Sequence, residues 1–459
     1  MRKIIDLQPC FFLNVFNEGK IVTRFRQKYD KMSDILDSYP EILNMFHNDL
    51  SNFGSSDKRD TEYSSEQILR MLIVKTVEKL PYRKTIIRVS ESDFLRNFTR
   101  LGMSRVMSYG FLCSALKQIS EATMKKINAL LTDVSASDNK ITGDYMRLDS
   151  TVSESNIHFP TDNGLLWDSY RVIARIIRQI HKEAPFLNLG NRFHDKKTKK
   201  LYTFIATHSR GKRKSIKRKL KRSMRTLIER VDRLCNITEI FIGHAYSHYI
   251  CSITVQGLLS ELEHFLLLAR QVVSQAYRSR VLGEKVAASE RIFSIFEEHT
   301  ELFKRGKAGS PVEFGHLVTS GQTREKFISY YEVQEVSPHD TEMKDVALEA
   351  HKRRFGSYPE KFTADKNYWV DTTDIKNWED EMALCAIAKK GRRSQAEYDR
   401  EHSEDFKYMQ RFRAGIEGSI SVLKRAFGLD ICRNKGFKSF ATSVGFLVFC
   451  HNLVLLSGM

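Results

Sequence analysis

The sequence has too few acidic side chains to balance its basic ones, and it lacks the marks of secreted and membrane proteins. Lys plus Arg number 74 against 56 Asp plus Glu. No apolar run reaches the roughly 18 residues needed to span a bilayer, and the most apolar stretch, 444–459, contains His451 and Asn452. Residues 1–20 show no signal-peptide core or cleavage site. These absences predict a cytoplasmic protein without membrane contact, whose C-terminal stretch is a buried helix.

Cysteine is sparse and irregularly placed. The seven cysteines include no Cys-x2-Cys pair, and their number is odd. This pattern suggests neither a zinc ribbon nor a disulfide framework. His244, His248 and Cys251 have a loose metal-ligand spacing, but a fourth ligand is missing. Surface or core histidines are therefore the preferred interpretation.

The missing acidic charge leaves a net charge of +18 on 459 residues. A polyanionic partner explains such an excess, because each neutralised phosphate releases counterions. A solubility charge or a ribosome-associated protein is the alternative. Segment 210–225 has ten basic residues and no acidic one. We expect it to contact DNA, although a solvated, partly disordered run is also possible. Its candidate contacts are Arg210, Lys212, Arg213, Lys214, Lys217, Arg218, Lys219, Lys221 and Arg222.

Three zones follow one another along the chain. Residues 1–125 have a helical period, which predicts a DNA-binding or dimerisation domain, with a packing module as the alternative. One helix of this zone, within 64–80, is expected to begin at a serine cap and to end at Pro81. Residues 126–164 and 305–459 alternate strand and helix patterns, whereas 165–304 form a mostly helical, basic insertion with an apolar stripe from Val255 to Leu266. The pattern predicts an α/β domain of ribonuclease-H-like type, split after its first strand. Its expected elements are a strand ending near Asp149, a hairpin of 312–321 and 327–337, a helix ending at Gly356, strands at 361–369 and 382–390, and helices over 409–428 and in the tail.

Two isolated acids, Asp149 and Asp365, follow predicted strands, with Leu148 and Ala364 before them. Phosphoryl transfer on DNA uses two divalent ions about 3.5–4 Å apart. Hard ions such as Mg²⁺ bind through carboxylates and substrate phosphate, and α/β sheets gather such ligands at strand ends. A turn or cap residue is the alternative for each acid.

A third acid, Glu417, belongs to an amphipathic helix. Arg413, Glu417 and Lys424 fall within about 40° of one another on a helical wheel, beside an apolar stripe. Glu417 can therefore approach the strand ends while Arg413 and Lys424 face phosphate. An ordinary surface helix with an Arg413–Glu417 pair is the alternative.

Several segments in a specific order resemble the DDE transposases of bacterial insertion sequences. Arg413-x3-Glu417-x6-Lys424 matches the signature around the last acid, although Gln410 stands where the signature has tyrosine. The other matching segments are LDSTVSESNIHFPTDNGLLWDS, EFGHLV, VSPHDTE, TADKNYW and RFRAGIEGSISVLKRAFGLDICRNKG.

The resemblance implies a ribonuclease-H-like fold in which Asp149, Asp365 and Glu417 hold two Mg²⁺ or Mn²⁺ ions. It implies hydrolysis at transposon ends, followed by strand transfer from a 3′-hydroxyl. The implied partners are double-stranded DNA, as terminal inverted repeats and target, and further copies of the chain in a homodimer or higher multimer at the bacterial nucleoid. A catalytically silent DNA-binding relative and a two-metal nuclease without strand transfer are the alternatives.

Three further features have simpler interpretations. His339 and Asp340 are expected to form a turn and helix cap. His158 and Asp162 are weaker candidates for support of the site. Trp167 could stack on an extruded base, but a core aromatic is the preferred interpretation.

Overall fold

A computed structural model describes residues 19–51, 53, 63–187, 193–247, 252–307 and 310–459. By contacts the chain divides into two compact units. Unit 1 comprises Met1–Asn156 and Gly315–Met459, and unit 2 comprises Ile157–Phe314. The domain boundaries predicted from the sequence, at residue 125 and at both ends of segment 165–304, stay a prediction.

The N-terminal part of unit 1 is helical. The helix beginning at Ser65 has a capping box, because the Ser64 hydroxyl accepts from the Gln67 amide and the Gln67 side chain accepts from the Ser64 amide. The predicted serine cap is therefore confirmed. The predicted end at Pro81 is wrong, since this helix stops at Val77 and Pro81 instead precedes the next helix. The helices are α1 (Lys20–Ser38), α2 (Pro40–Leu50), α3 (Ser65–Val77), α4 (Tyr82–Glu91), α5 (Asp93–Phe98), α6 (Tyr109–Gln118) and α7 (Glu121–Ser137).

A mixed sheet of seven strands follows. The strand order is β2-β3-β1-β5-β6, with β4 also paired to β3 and β7 to β1. β1 is antiparallel to β3 and parallel to β5 and β7, and the predicted hairpin is confirmed as antiparallel β3 and β4. The strands are β1 (Tyr145–Ser155), β2 (Glu301–Lys307), β3 (Ser310–Gln322), β4 (Ile328–Val333), β5 (Lys361–Ala364), β6 (Leu384–Ala386) and β7 (Ile431–Cys432).

The prediction that the first strand ends near Asp149 is wrong. β1 continues to Ser155, because the long strand β3 pairs with residues 147–154. Its parallel pairing with β5 does stop at Leu148, and parallel pairing resumes with β7 only at Glu154. Asp149 is thus the position where β1 loses a neighbour on one side. The short strands β2 and β7 were not predicted, and β6 is shorter than expected.

Helices cover both faces of the sheet in unit 1. Met146 and Leu148 share a buried cluster with Met343 of α12, whereas Tyr145 packs on Phe412 of α15 on the other face. The predicted helix end at Gly356 is confirmed by its left-handed φ of 82°, a conformation that favours glycine. These helices are α12 (Asp340–Phe355), α13 (Thr372–Glu381), α14 (Gln395–His402), α15 (Glu404–Val422), with a π-helical turn at Leu423–Phe427, and α16 (Phe437–Gly458).

The C-terminal helix α16 is long and apolar enough to cross a membrane by length and composition. However, 72% of its most apolar window is buried inside the protein. It shares one core cluster with helices of the N-terminal part, such as α3 and α7. The predicted buried terminal helix is confirmed.

Unit 2 is mostly helical and has a core of its own. The sequence predicted helix across most of this region, and the expected apolar stripe of α11, from Val255 to Leu266, is buried. Its main helices are α8 (Asp162–Glu183), α9 (Asp195–His208), α10 (Lys214–Tyr246) and α11 (Ile253–Tyr277).

Candidate functional site

Asp149 and Asp365 occupy equivalent positions on two neighbouring strands. Leu148 of β1 pairs with Ala364 of β5, and each acid is the next residue. Neighbouring strands are about 4.8 Å apart. Paired residues of parallel strands point to the same face, and Leu148 and Ala364 lie in the same buried cluster. The two acids that follow them are therefore directed to the opposite face, the one covered by α15.

The pKa of Tyr368 is affected by the same group of acids. Burial is the main cause that raises the pKa of Tyr368, and the charges of Asp340, Asp149 and Asp365 raise it further. Asp340 is the first residue of α12 and His339 its N-cap, as predicted from the sequence. Asp340 is thus a third acid near this hydroxyl, which sequence patterns marked only as a cap.

Local hydrogen bonds orient both aspartates. Asp149 Oδ1 accepts from the Ser150 amide at 2.8 Å. Asp365 Oδ1 accepts from the Lys366 amide at 2.7 Å. The Ser150 hydroxyl lies 2.6 Å from the Tyr368 hydroxyl. This contact joins β1, which carries Asp149, to the turn that follows Asp365.

Helix α15 runs alongside β1 and brings Glu417 level with Asp149. Near one end of this contact, Arg147 Nη1 donates to the Phe412 carbonyl at 2.7 Å. Near the other, Lys424 Nζ donates to the Val152 carbonyl at 2.7 Å. From Phe412 to Glu417 the helix rises about 7.5 Å, and from Arg147 to Asp149 the strand rises about 6.6 Å. Because the two rises are similar, Glu417 lies at about the same height along β1 as Asp149.

The Glu417 side chain is exposed, whereas both aspartates are partly buried. Across the described parts of the chain, no three His, Cys, Asp or Glu side chains lie close enough together to hold a metal ion. The structure therefore brings the two aspartates together and places the glutamate-bearing helix beside them, without closing a three-carboxylate cluster. The oxygen donors are nevertheless of the type that Mg²⁺ and Mn²⁺ prefer.

A buried arginine, which sequence reasoning missed, fixes α15 on the sheet. Arg147 is 3% exposed, and its guanidinium donates twice to Gln322 Oε1, at 2.9 and 2.6 Å. It also lies 4.7 Å from the ring centroid of Phe412. Burial lowers the pKa of Arg147 to about 10.

The helix approaches this arginine at Gly415. A Cβ atom at that position would overlap the Arg147 guanidinium, whereas one at Gly418 would meet nothing within 4 Å. Glycine at 415 thus permits the close approach of α15 to β1. Arg147 precedes Asp149 by two residues and Gly415 precedes Glu417 by two, so this contact lies close to both acids along the chain.

The two predicted phosphate contacts on this helix differ. Arg413 is partly exposed. Lys424 lies in the π-helical turn, where the wider spiral departs from the helical wheel used for the prediction. Its ammonium is bound to the Val152 carbonyl of β1.

In unit 2, the nine predicted DNA contacts of segment 210–222 are all exposed. Helix α10 begins at Lys214, so most of the basic run is helical. None of the nine forms an ion pair with a described residue, and Lys219 lies 4.9 Å from the ring centroid of Phe204. Solvent-exposed cations without acidic partners are suited to phosphate.

The remaining candidates have structural partners within unit 2. Trp167 stacks on Tyr170 and Tyr202, with centroids 6.1 and 6.0 Å away, as expected of a core aromatic. Asp162 pairs with Arg280 and Arg291. His158 lies 3.3 Å from Asp168. His248 and Cys251 lie outside the described residues.

Comparison of the chain with protein-family models, curated proteins and solved structures finds no match.

Proposed function

We propose that this chain is a DDE transposase that cuts insertion-sequence ends and joins them to target DNA. The observation that carries the proposal is the placement of three distant acids. Asp149 and Asp365 follow paired positions of adjacent parallel strands, and α15 brings Glu417 level with Asp149. Carboxylates from two strands and a covering helix are the donor set that two-metal phosphoryl transfer requires.

The sheet supports the same proposal. Three strands, β4, β3 and β1, are antiparallel, and β5 and β6 continue the sheet in parallel on the other side of β1. This is the arrangement expected of a ribonuclease-H-like domain. The helical segment between β1 and β3 fits an insertion after its first strand.

Asp149, Asp365 and Glu417 would hold two Mg²⁺ or Mn²⁺ ions. Such ions, when bound, activate an attacking oxygen and stabilise the leaving one. The Ser150 and Lys366 amides keep the two aspartates oriented. Glu417, on the helix that lies beside β1, would complete the donor set. Arg413 would contact the phosphate of bound DNA.

The basic run supports double-stranded DNA as the partner. Its exposed cations on α10 would follow the phosphates of a transposon end or of the target, and the binding would weaken as salt rises. Assembly of two or more copies on DNA and a location at the bacterial nucleoid follow from this proposal.

The test uses the full chain and linear DNA that carries the regions flanking its coding sequence. We expect Mg²⁺-dependent cuts at inverted repeats, and we expect pre-cut ends with free 3′-hydroxyls to be joined to a plasmid. Cleavage without joining would identify a nuclease instead. DNA binding without cleavage, in Mg²⁺ and in Mn²⁺, would identify a catalytically silent DNA-binding protein.

A further inference from the structure

Unit 1 contains a cavity of about 440 Å³ that the proposed function does not use. It is bordered by α3, α6, β7 and α16, and it is here called the Lys75 pocket. Its volume lies within the roughly 300–1,000 Å³ of small-molecule sites. Leu80, Leu116, Val444, Phe446 and Leu447 form apolar parts of its wall.

A cation without an acidic partner projects from this wall. The Lys75 ammonium lies 4.7 Å from the ring centroid of Tyr82, and it makes no ion pair with any residue in the described ranges. Burial is the main cause that lowers the pKa of Lys75; the neighbouring cysteines Cys450, Cys432 and Cys113 oppose this shift, and Arg433 adds slightly to it. Lys79, which also lines the pocket, instead bonds to the carbonyls of Lys424 and Arg425 and lies 3.5 Å from Asp430.

A second polar group in the pocket is also incompletely satisfied. The Tyr82 hydroxyl is buried, and no oxygen or nitrogen of a described residue is hydrogen-bonded to it. The Cys113 thiol beside it is only a weak hydrogen-bond partner. Buried polar groups in native proteins are normally satisfied, and each exception calls for an explanation.

We propose that the Lys75 pocket binds a small organic carboxylate. Its carboxylate accepts from the Lys75 ammonium and the Tyr82 hydroxyl, and its hydrocarbon body lies against Leu116, Phe446 and Leu447. Lys79 and Arg433 also line the pocket, but Lys79 is held by protein oxygens and Arg433 is exposed. The partly buried Lys75 ammonium therefore matches a singly charged head.

The pocket adjoins the catalytic helix of the proposed function without depending on it. Phe427 and Gly428, which end the π-helical turn after α15, line it, and so does Ser153 of β1. The proposed carboxylate site depends only on the residues of the Lys75 pocket, whether or not the chain cuts DNA.

Calorimetric titration of the full chain with three probes that share a ten-carbon chain tests the proposal. Decanoate supplies the carboxylate, decanol the same body without charge, and decyltrimethylammonium the opposite charge. We expect the wild-type chain to bind decanoate at least tenfold more tightly than either of the others. Equal binding of the three probes, or no binding of decanoate, would overturn the proposal.

Two variants locate the site. Lys75→Met keeps the side-chain length and removes the charge, so we expect decanoate binding to weaken at least tenfold while decanol binding is unchanged. Lys79→Met is the matched control, because the Lys79 ammonium already has protein partners, and it should bind decanoate as the wild type does. Unfolding curves establish that both variants are folded. Unchanged decanoate binding by folded Lys75→Met protein would refute the assignment.

Discussion

The cations around the candidate site in unit 1 and those of segment 210–222 in unit 2 differ in what holds them. In unit 1, Arg147 is buried with three hydrogen bonds to protein oxygens, and Lys424 is bound to a strand carbonyl. In unit 2, the nine cations of segment 210–222 are exposed and form no ion pair within the described chain. A cation held by protein oxygens fixes the position of neighbouring elements, whereas an exposed one remains available to phosphate. The same residue types therefore hold elements together in one unit and remain exposed to solvent in the other.

The largest expected effect is the loss of cleavage when one of the three acids is replaced. Asp149→Asn, Asp365→Asn and Glu417→Gln should each lower Mg²⁺-dependent cleavage by about a thousandfold or more, because a metal ligand contributes several kcal/mol to the transition state. Rates are measured on the end-containing DNA, with DNA affinity as the control. Full activity in any one variant would remove that residue from the site.

The comparison of buried and exposed groups also applies to histidine, where it predicts how stability depends on pH. His351 in unit 1 is 2% exposed, and burial lowers its pKa to about 4. The unfolded chain therefore binds a proton at higher pH than the folded one. This contribution to stability is complete above about pH 6.5 and is lost as the pH falls toward 4, by up to about 3 kcal/mol.

Urea unfolding at several pH values measures this dependence. We expect His351→Gln to remove the His351 contribution between pH 6.5 and 4, so that its stability changes less over this range. His208→Gln, at an exposed position of α9 in unit 2, should retain the wild-type dependence. Identical pH profiles for wild type and His351→Gln would contradict the prediction.

Two glycines of α15 test the contact between this helix and Arg147. Gly415→Ala pushes on Arg147, so we expect a loss of about 1–3 kcal/mol in stability and an activity loss of about 10–100-fold. Gly418→Ala meets no neighbour, and it should gain up to about 1 kcal/mol from helix propensity. Thermal unfolding and cleavage rates are compared for the pair. Equal behaviour of both variants would show that the approach to Arg147 does not control the site.

The smallest effect concerns the exposed surface of unit 2. Replacing four cations by Gln should reduce the slope of log affinity against log salt by about 0.9 for each phosphate that the variant no longer neutralises. The slope is measured by fluorescence anisotropy on duplex DNA. The four positions are Lys217, Arg218, Lys221 and Arg222.

A charge-matched variant on α9 is the control for this experiment. It removes the same number of exposed cations from the same unit. A smaller slope in the first variant alone would locate the DNA-binding surface on α10, whereas equal slopes in both would show an effect of total charge. The control positions are Lys196, Lys197, Lys199 and Lys200.

Local chemistry made several elements predictable. Ser64 with Gln67 specified the start of α3, Gly356 specified the end of α12, and an apolar stripe predicted α11. The extent of β1 was not predictable near Asp149, because it depends on pairing with β3, which is about 160 residues away along the chain. The π-helical turn that contains Lys424 was not predictable either, since the spacing of residues does not mark it.

Composition and local pattern alone account for the excess of positive charge, the basic run on α10 and the isolated acids at 149, 365 and 417. The fold was needed to show that β1 and β5 align two of the acids, that Arg147 contacts α15 at Gly415, and that Lys75 lines a cavity with no acidic partner among the described residues. Such relations join residues far apart in the chain. Packing and hydrogen bonding between elements create them, and no periodicity within one segment encodes them.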